Sequence, residues 1–456
     1  MRNLLAGLLI AWALALYPHY IYALDLNAVY QLARQNDPQI RQVREQFKAT
    51  QESKPQAQAL LRPYISLSAN GQFTDIQIPK RYAAFKSQDQ YLQKSLSIDL
   101  SYPLYHKNYW IQLDQADDII SKGQASLNEA ESNLIIRTAQ AYFNVLSAAD
   151  DLRAATAEKQ ANAKQLSQSQ SRFEVGTIAI TSVHEAKAAY DIAVAQEIAA
   201  ANSLNDSWEA LQEIIGHINQ PILQLGDKLT LHPPRPKNIE QWISTALRNN
   251  HSIQAAQKSV EIARKSIDKE HSGYYPTLDI VSSYGIADSG STLGSNRATG
   301  VIGLQLKVPL YQGGAVVSKE RQAVYEYRAA QEALDQQRRA VNRQVHNAFR
   351  GILSTISRVK ALESAVVSSQ TALQSAQAGL EVGTRTMVDV LSLTKTLYQA
   401  QRDYDKSRYD YILSGLTLHQ AAGTLTLEVL NQANSWLSTT NTQSPPESFS
   451  TYTIGQ

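Results

Sequence analysis

The residue types that most often perform catalysis or bind metals are scattered along this sequence. It contains nine histidines and no cysteine, and no two histidines have a metal-ligand spacing such as H-E-x-x-H. We expect the adjacent pair His184-Glu185 to lie on an exposed helix surface. The glycine-rich stretch from Gly285 to Gly300 lacks the lysine of a phosphate-binding loop, so we interpret it as a hairpin loop. The sequence therefore predicts no catalytic site, no cofactor and no metal.

The charged residues indicate no specialised partner. Lysines and arginines are nearly balanced by acidic residues, with a formal net charge of +2, and the sequence has no basic patch of the kind that binds nucleic acid. Two acidic pairs, Asp117-Asp118 and Asp150-Asp151, fall within predicted helices. We expect both pairs to lie on solvated helix faces.

One carboxylate has a position that suits two roles. Asp389 follows Thr386 by three residues, which is the spacing of a helix capping box and brings the carboxylate near the positive end of the helix. Ser182 and Glu185 have the same spacing earlier in the chain. The residues alone leave capping and a functional charge equally open for Asp389, and both roles can hold together.

The elements that would position these residues occur twice. The phrases from Phe173 to Val183 and from Leu380 to Val390 both interrupt a long Ala- and Gln-rich stretch with Val-Gly-Thr. Tyr-Pro-Leu-Tyr, ending at Tyr105, likewise corresponds to Val-Pro-Leu-Tyr, ending at Tyr311. The shift between copies is about 206–213 residues, far longer than solenoid repeats of ~20–50 residues. A whole structural unit is therefore duplicated.

This duplication predicts five segments. Residues 1–23 begin with a basic residue before an apolar run and are predicted to be a secretory signal peptide, the alternative being an uncleaved anchor. Residues 24–216 form the first repeat and residues 239–422 the second. The proline-rich residues 217–238 are predicted to link them, and the Ser/Thr/Asn/Pro-rich residues 423–456 are predicted to be a mostly disordered tail.

Each repeat contains one pair of predicted strands. Polar and apolar residues alternate in the segments 64–102 and 275–308, and each strand of about ten residues has the length of a tilted transmembrane strand. A helix is predicted before each pair. In the first repeat this helix is predicted over residues 26–60.

Each strand pair is followed by a long predicted helix and a shorter return helix. The long helices are predicted over residues 109–172 and 315–377, which contain no proline, and ~62 residues make a helix of about 90–95 Å. The return helices are predicted over residues 182–215 and 387–422. The thin apolar seam of the long helices is typical of coiled-coil or helix-barrel packing.

Four strands cannot close a transmembrane barrel, because open strand edges are not tolerated in lipid. Identical chains must therefore pair edge to edge, and two copies would supply eight strands whereas three would supply twelve. The alternative is a periplasmic or surface coiled-coil structural protein that carries two hairpins. That alternative leaves the signal sequence and the clean alternation unexplained.

The segment from Val382 to Leu391, Val-Gly-Thr-Arg-Thr-Met-Val-Asp-Val-Leu, resembles the TolC family of outer-membrane efflux and type I secretion channels. The likeness extends over nearly the whole chain and includes the first-copy phrase Val-Gly-Thr-Ile-Ala-Ile-Thr. It implies a mixed α and β fold, namely a homotrimeric channel-tunnel with an internal two-fold repeat. Each chain would give four strands to a twelve-stranded outer-membrane β-barrel, which continues as a periplasmic α-barrel of twelve helices with coiled coils.

The resemblance also implies a function and partners. The channel would be the passive outer-membrane exit duct of a tripartite efflux pump, of a type I secretion system, or of both. A periplasmic adaptor would recruit it, and an inner-membrane pump of the RND or ABC type would supply the energy. The adaptor is expected to dock on the helix-turn tips at Gly176, Thr177, Gly383 and Thr384, and outer-membrane lipid would surround the barrel.

A periplasmic aperture is the first site that the resemblance implies. Asp389 matches a family aspartate that lines the narrowest periplasmic constriction, so three copies would form an acidic ring that attracts cations. One turn later the family often has a second aspartate, and this chain has Ser392. A single acidic ring implies weaker cation binding than a double ring.

A closed-state latch is the second site that the resemblance implies. Arg385 matches an arginine that holds the closed state through the first-copy return helix. Its threonine partner is kept as Thr181, but an aspartate is replaced by Ser182 and a tyrosine by Leu380. We call Arg385, Thr181, Ser182 and Leu380 the latch. Compared with the family pattern, the latch lacks the carboxylate that would pair with Arg385 and the phenol of the tyrosine.

Overall fold

The structure is a computed structural model that describes residues 23–77, 88–226, 229–289 and 296–446. The predicted signal peptide lies outside these residues except for its last position, and parts of both hairpin loops also lie outside them. The first half of the chain contains α1 (Leu26–Asn36), α2 (Pro38–Gln51), α3 (Ser53–Ala59), β1 (Tyr64–Gln77), β2 (Gln88–Tyr105), α4 (Lys107–Glu174), α5 (Ile180–Ile215) and β3 (Ile222–Leu225). The second half contains α6 (Ile239–Asn249), α7 (His251–His271), a 3₁₀ turn (Ser272–Tyr274), β4 (Thr277–Ser289), β5 (Arg297–Lys307), α8 (Ala315–Glu381), α9 (Met387–Ala421), α10 (Leu427–Asn434) and β6 (Leu437–Gln443).

The chain forms two compact units, and each takes segments from both predicted repeats. One unit comprises Met1–Val43, Glu129–Asn250 and Ala340–Gln456. It contains α5, α9 and the strands β3 and β6. The other comprises Arg44–Asn128 and His251–Arg339, and it contains the strands β1, β2, β4 and β5.

The two long helices owe their length to a sequence without helix breakers. Helix α4 has 68 residues and α8 has 67, against about 11–12 for an average globular helix. The glycine within α4, Gly123, lies where another chain segment comes close, since an added Cβ would be 3.1 Å from Thr50 Cγ2 and 3.2 Å from Phe47 Cδ2. Within the described residues, no helix combines the length and apolar character needed to cross a membrane.

The segment predicted as one helix over residues 26–60 consists of three helices. The first break is at Asp37, whose ψ of 118° is extended, because the following Pro38 disfavours helical backbone at the residue before it. The Asp37 carboxylate accepts hydrogen bonds from the backbone N–H groups of Gln39 and Ile40, at 3.3 and 3.2 Å, and also binds Arg137. Asp37 thus ends one helix and caps the next, which the apolar periodicity alone did not predict.

Four strands form one antiparallel sheet in the order β1-β2-β4-β5. Residues directly opposite one another share a face, so the register defines rows of side chains across the sheet. On one face the rows are apolar: Ile65, Leu100 and Ile302 lie in one of them, together with Ser282. The neighbouring rows contain Leu67, Ile98, Tyr284 and Gly300, and Ala69, Leu96, Ile286 and Ala298.

The opposite face of this sheet is polar. Ser68 and Ser97 are paired in the register, and their hydroxyl oxygens are 2.8 Å apart. Ser97 also donates to Asp99 at 2.9 Å. The apolar face is exposed in the single chain, where Ile302 is 80% and Leu67 is 68% accessible. Within the described residues, nothing pairs with the open edges at β1 and β5, and the apolar face is left uncovered.

The predicted linker and tail contain a second, small sheet. Strand β3 lies in the linker and pairs antiparallel with β6, which lies in the segment predicted to be disordered. Helix α10 precedes β6 and buries Leu430 and Ala433, while Asn434 Oδ1 accepts a 2.9 Å hydrogen bond from the backbone N–H of Leu26. The disorder prediction is therefore wrong for residues 427–443, because apolar residues at helical spacing and a threonine-rich strand are embedded among the polar ones. Residues 447–456 lie outside the described part.

Asp117 of the acidic pair is exposed as predicted, but the prediction is wrong for Asp118. Asp118 is buried, and its carboxylate oxygens are 2.8 Å from Lys258 Nζ and 2.7 Å from Lys265 Nζ. Burial by itself would raise the pKa of Asp118, but the hydrogen bonds and charges of the two lysines outweigh it and hold the pKa below its ordinary value. Both lysines come from α7, which follows more than a hundred residues later, so no local pattern indicates the pairing.

Candidate functional site

The two Val-Gly-Thr phrases form the same turn. Gly176 has φ +74° and Gly383 has φ +77°, the left-handed conformation that ends many helices and that glycine adopts without a steric penalty. The backbone N–H of Thr177 donates to the carbonyl of Arg172 at 2.9 Å, and its hydroxyl donates to the same oxygen at 2.8 Å. Thr384 makes the equivalent bonds to Gly379, at 2.8 and 3.1 Å.

These turns are the exposed tips at which the chain reverses. Nothing lies within 4 Å of a Cβ added to Gly176 or Gly383, so the turns face open space. Val175 and Val382, each just before the glycine, are both 74% exposed. Each tip thus presents one apolar side chain on a backbone whose helix-end carbonyls are already satisfied.

The helices that follow the two tips begin differently. Helix α9 begins with a capping box, in which Thr386 Oγ1 accepts from the Asp389 N–H at 3.2 Å and the Asp389 carboxylate accepts from the Thr386 N–H at 2.9 Å. Helix α5 begins after Ala179, which forms no side-chain cap. The capping box predicted for Ser182 and Glu185 is therefore wrong, because helix α5 already begins two residues before Ser182.

Hydrogen bonding changes the pKa of the Asp389 carboxyl. The backbone and hydroxyl hydrogen bonds from Thr386 lower the pKa of its carboxyl, and the nearby positive charge of Arg385 acts in the same direction. Asp389 and Ser392 are three residues apart and share one face of α9. At 100° per residue, this face lies nearly opposite the one that buries Met387, Val390 and Thr394. The two candidate aperture residues therefore point away from the packed side of their helix.

The latch residues are only partly brought together. Arg385 folds back over Gly379, where an added Cβ would be 2.7 Å from Arg385 Cγ, and the Arg385 backbone N–H donates to the Gly379 carbonyl at 3.2 Å. Among the described residues of one chain, the Arg385 guanidinium forms no hydrogen bond with Thr181 or Ser182, which lie at the start of α5. Leu380 is half-buried, and its carbonyl accepts from the Gly383 N–H at 3.4 Å.

Two features of this region were not predicted. The first is Met387, which is buried against α4, with its sulfur 3.1 Å from Gln165 Nε2 and 4.0 Å from the hydroxyl of the buried Ser169. The second is Gly379, since any larger residue would displace the Arg385 side chain. The only sequence signal for the approach of Arg385 to Gly379 is a glycine six residues before the arginine. No sequence signal indicates that Met387 is buried.

Helix α4 binds both return helices through polar contacts, of which the one to α5 is half-buried. Glu197 of α5 accepts from Lys159 at 2.5 Å and from Thr156 at 3.0 Å. Glu158 is buried and lies 3.3 Å from Arg402 of α9. Removing one partner of a buried ion pair costs ~3–5 kcal/mol, because the other charge stays buried without compensation. These contacts therefore hold the helices on both sides of α4 in register.

A buried acidic cluster lies further along the same helices. The hydroxyl of Tyr409 donates to Asp150 at 2.6 Å, and Arg153 lies 3.0 Å from the other oxygen of that carboxylate. Arg408 lies 3.6 Å from Asp405 and donates to the carbonyl of Gly226 at 2.7 Å. The prediction that Asp150 lies on a solvated face is thus wrong, because its side chain is only 13% exposed.

Burial dominates the protonation of this cluster. It raises the pKa of Asp405 to about 6, and the negative charge of Asp150 adds to the effect, whereas Arg408 and Arg153 oppose it. Burial also raises the pKa of Asp150, against the hydrogen bond from Tyr409 and the charges of the two arginines. The two carboxyl groups in this site therefore bind protons at a higher pH than exposed carboxyl groups do.

The comparisons with known proteins agree with this architecture. A family model described as outer membrane efflux protein matches residues 29–217 and 242–424. The outer membrane protein TolC of Vibrio cholerae is 36% identical over 442 residues, which cover 96% of this chain and 99% of that protein. The alkaline protease secretion protein AprF of Pseudomonas aeruginosa is 26% identical over 431 residues, covering 93% and 89%. The CmeC outer membrane channel of Campylobacter jejuni superposes with a TM-score of 0.76 at 16% identity, covering 91% and 90%.

The chain belongs to the outer membrane efflux protein family. The resemblance to the TolC family and the mixed α and β channel-tunnel fold are both confirmed. The protein is a channel and not an enzyme: it lies in the outer membrane, extends into the periplasm, and is an exit duct for efflux and type I secretion that works together with partner proteins.

The acidic cluster predicts an unusual pH dependence. Because the folded-state pKa of Asp405 is raised from 3.8 to about 6, its contribution to stability is fully present below pH ~4 and is lost as the pH rises through 6. We expect Asp405→Asn to raise the unfolding temperature by a few degrees at pH 7.5 and to have little effect at pH 4. Circular dichroism during heating measures this.

The matched control is Asp191→Asn, at an exposed position of α5, which should change the unfolding temperature equally little at both pH values. A fall in stability for Asp405→Asn at pH 7.5 would show that the ion pair with Arg408 outweighs the burial of the carboxylate, and the account of the cluster would be wrong.

Proposed function

We propose that three copies of this chain close the barrel by pairing β5 of each copy with β1 of the next. The observation that carries the proposal is the sheet with apolar rows on one face and two open edges. In lipid every backbone polar group needs a partner, so both edges must be paired. Two copies would also satisfy the minimum of about eight strands, and the trimer is what membership of the family favours.

We further infer that the exposed tips dock a periplasmic adaptor. Each tip combines a helix end capped by its own threonine with one exposed valine beside Gly176 or Gly383. An apolar side chain on a rigid, hydrogen-bonded turn suits insertion into a partner groove. The adaptor would connect the channel to an inner-membrane pump of the RND or ABC type. The cargo would be small toxic molecules or secreted polypeptides.

Asp389 is proposed to form the aperture ring. Its carboxyl is charged at neutral pH, as in an ordinary exposed aspartate, and it lies on the face of α9 that its own chain leaves unpacked. Three such carboxylates close together would favour cations and offer a site for block by divalent ions. Ser392 adds no second ring of charge one turn along.

The latch is proposed to hold the closed state weakly. Arg385 keeps its hydrogen-bonding capacity, and Thr181 or Ser182 of a neighbouring chain could accept from its guanidinium. Neither hydroxyl offers an ionic partner, and Leu380 has no hydroxyl with which to join a network. A carboxylate could accept two parallel hydrogen bonds from the guanidinium and neutralise its charge, whereas a hydroxyl does neither.

The roles of capping and of charge at the aperture can be separated in planar bilayers. We expect Asp389→Asn to lower cation selectivity and divalent block severalfold. Thr386→Ala removes the cap but keeps the carboxylate, so it should preserve selectivity while costing ~1 kcal/mol of stability.

The control is Glu381→Gln, which removes an exposed charge near the same tip and should leave divalent block unchanged. If Asp389→Asn retains the selectivity of the native channel, Asp389 does not line the aperture.

Adaptor docking is tested by co-purification from cells after mild cross-linking, with sequencing of the captured adaptor and pump. Val382→Asp introduces a charge at an exposed tip and should reduce the captured adaptor at least tenfold. Val367→Asp is the matched control, because Val367 is 63% exposed in α8 away from the turn. Equal capture by both variants would contradict docking at the tips, without bearing on barrel closure.

A further inference from the structure

A cavity of about 430 Å³ lies beside the end of α9, away from the residues so far given a role. Its floor is apolar and buried, with Trp242 of α6, Ile352 of α8, and Ile412 and Leu416 of α9. Its rim is polar and is formed by the loop before α6 and by α10. The volume falls within the range of ~300–1,000 Å³ of ligand pockets, which typically combine an apolar lining with a few polar groups.

Three polar side chains in the lining have hydrogen-bond partners. The Tyr411 hydroxyl donates to the carbonyl of His232 at 3.1 Å and accepts from its N–H at 3.0 Å. Trp242 Nε1 donates to the Pro236 carbonyl at 2.8 Å, and His419 Nδ1 lies 3.1 Å from the hydroxyl of Thr424. These bonds fix the walls, so the cavity is preorganised.

Four polar side chains in the lining have no hydrogen-bond partner. Among the described residues, the guanidinium of Arg235, the indole N–H of Trp436, the amide of Gln432 and the imidazole of His232 form no hydrogen bond, and Arg235 forms no ion pair. Pro233, Pro234 and Pro236 surround Arg235 and restrict its loop, since each proline fixes its own φ. The arginine is therefore presented at the rim on a stiff segment.

The lining is also biased in charge. It contains Arg235 and the two imidazoles of His232 and His419, and none of the residues that line it is an aspartate or glutamate. Burial lowers the pKa of His419, so the inner imidazole is neutral at neutral pH and the only permanent charge is that of Arg235. An anion would find a charged partner in Arg235, whereas the residues that line the cavity offer a cation no carboxylate.

We propose that this cavity binds a small amphipathic carboxylate, with an aromatic or short aliphatic body on the apolar floor and its carboxylate at Arg235 and Trp436. Arginine is the side chain best suited to this task, because its planar fork binds a carboxylate through two parallel hydrogen bonds. The indole N–H of Trp436 supplies a further donor. Burial of the apolar part of the ligand against Trp242 and Leu416 adds binding free energy to that of the ionic contact.

The test is isothermal titration calorimetry on the full-length protein in lipid nanodiscs, with empty nanodiscs as the blank. The probe is 2-naphthoate, and 2-naphthylmethanol and 2-naphthylmethylamine are matched probes of the same shape. We expect saturable binding of the carboxylate, and at least tenfold weaker binding of the alcohol and the amine.

Arg235→Gln should weaken 2-naphthoate binding at least tenfold and leave 2-naphthylmethanol unaffected, while Trp436→Phe should weaken the carboxylate severalfold. The matched control is Lys237→Gln, which removes an exposed charge two residues away that does not line the cavity. Because Arg235 is exposed, its replacement should not change the unfolding temperature.

Three results would overturn the proposal. The first is that 2-naphthoate shows no saturable binding. The second is that all three probes bind equally, which would indicate an apolar cavity without anion recognition. The third is that Arg235→Gln and Lys237→Gln lose binding equally. None of them bears on barrel closure or on the aperture.

Discussion

The unpaired backbone at the edges of the four-stranded sheet is the constraint on which the rest of this protein depends. Strand β1 and strand β5 each present a row of N–H and C=O groups that pair with no strand in the described part of the chain. In water such an edge is a liability, and in lipid each unsatisfied group costs several kcal/mol. The apolar rows on one face of the sheet are stable in contact with lipid. In lipid, the backbone groups at both edges of the sheet must be hydrogen-bonded. A single chain can therefore satisfy its own sheet only as part of a ring of copies.

The two sequence repeats are similar in architecture, but the turns between their long helix and return helix differ in chemistry. The first return helix begins after an uncapped alanine, whereas the second begins with the capping box of Thr386 and Asp389. Only the second tip has an arginine folded over a glycine, at Arg385 and Gly379. The two repeats therefore supply similar helices, whereas the capping box and the arginine that contacts a glycine are features of the second repeat.

The sequence alone predicts the features that depend on local patterns. Alternation predicts the strands, the absence of breakers predicts α4 and α8, and the three-residue spacing predicts the cap at Asp389. The sequence does not predict contacts between residues that are far apart along the chain. Strand β6 pairs with β3 over two hundred residues earlier in the chain, and Asp118 and Asp150 are buried by helices that their own segments cannot reveal. Met387 shows the same limit, since a lone methionine gives no sign that Gln165 and Ser169 enclose it. The roles proposed for Asp389 and Arg385 come from the resemblance to the family, because no local pattern predicts a contact between chains.

The most direct test of barrel closure uses the absence of cysteine in the native chain. Chains carrying Ser68→Cys in β1 together with one cysteine in β5, placed in turn at Thr299, Val301 or Gly303, would be oxidised in the outer membrane and separated by denaturing electrophoresis. Closure by three copies predicts covalent species of two and three chains and no larger ones, for at least one position in β5. A Ser97→Cys control within the sheet should give none. A ladder that stops at two chains, or no cross-link at any position in β5, would contradict the account.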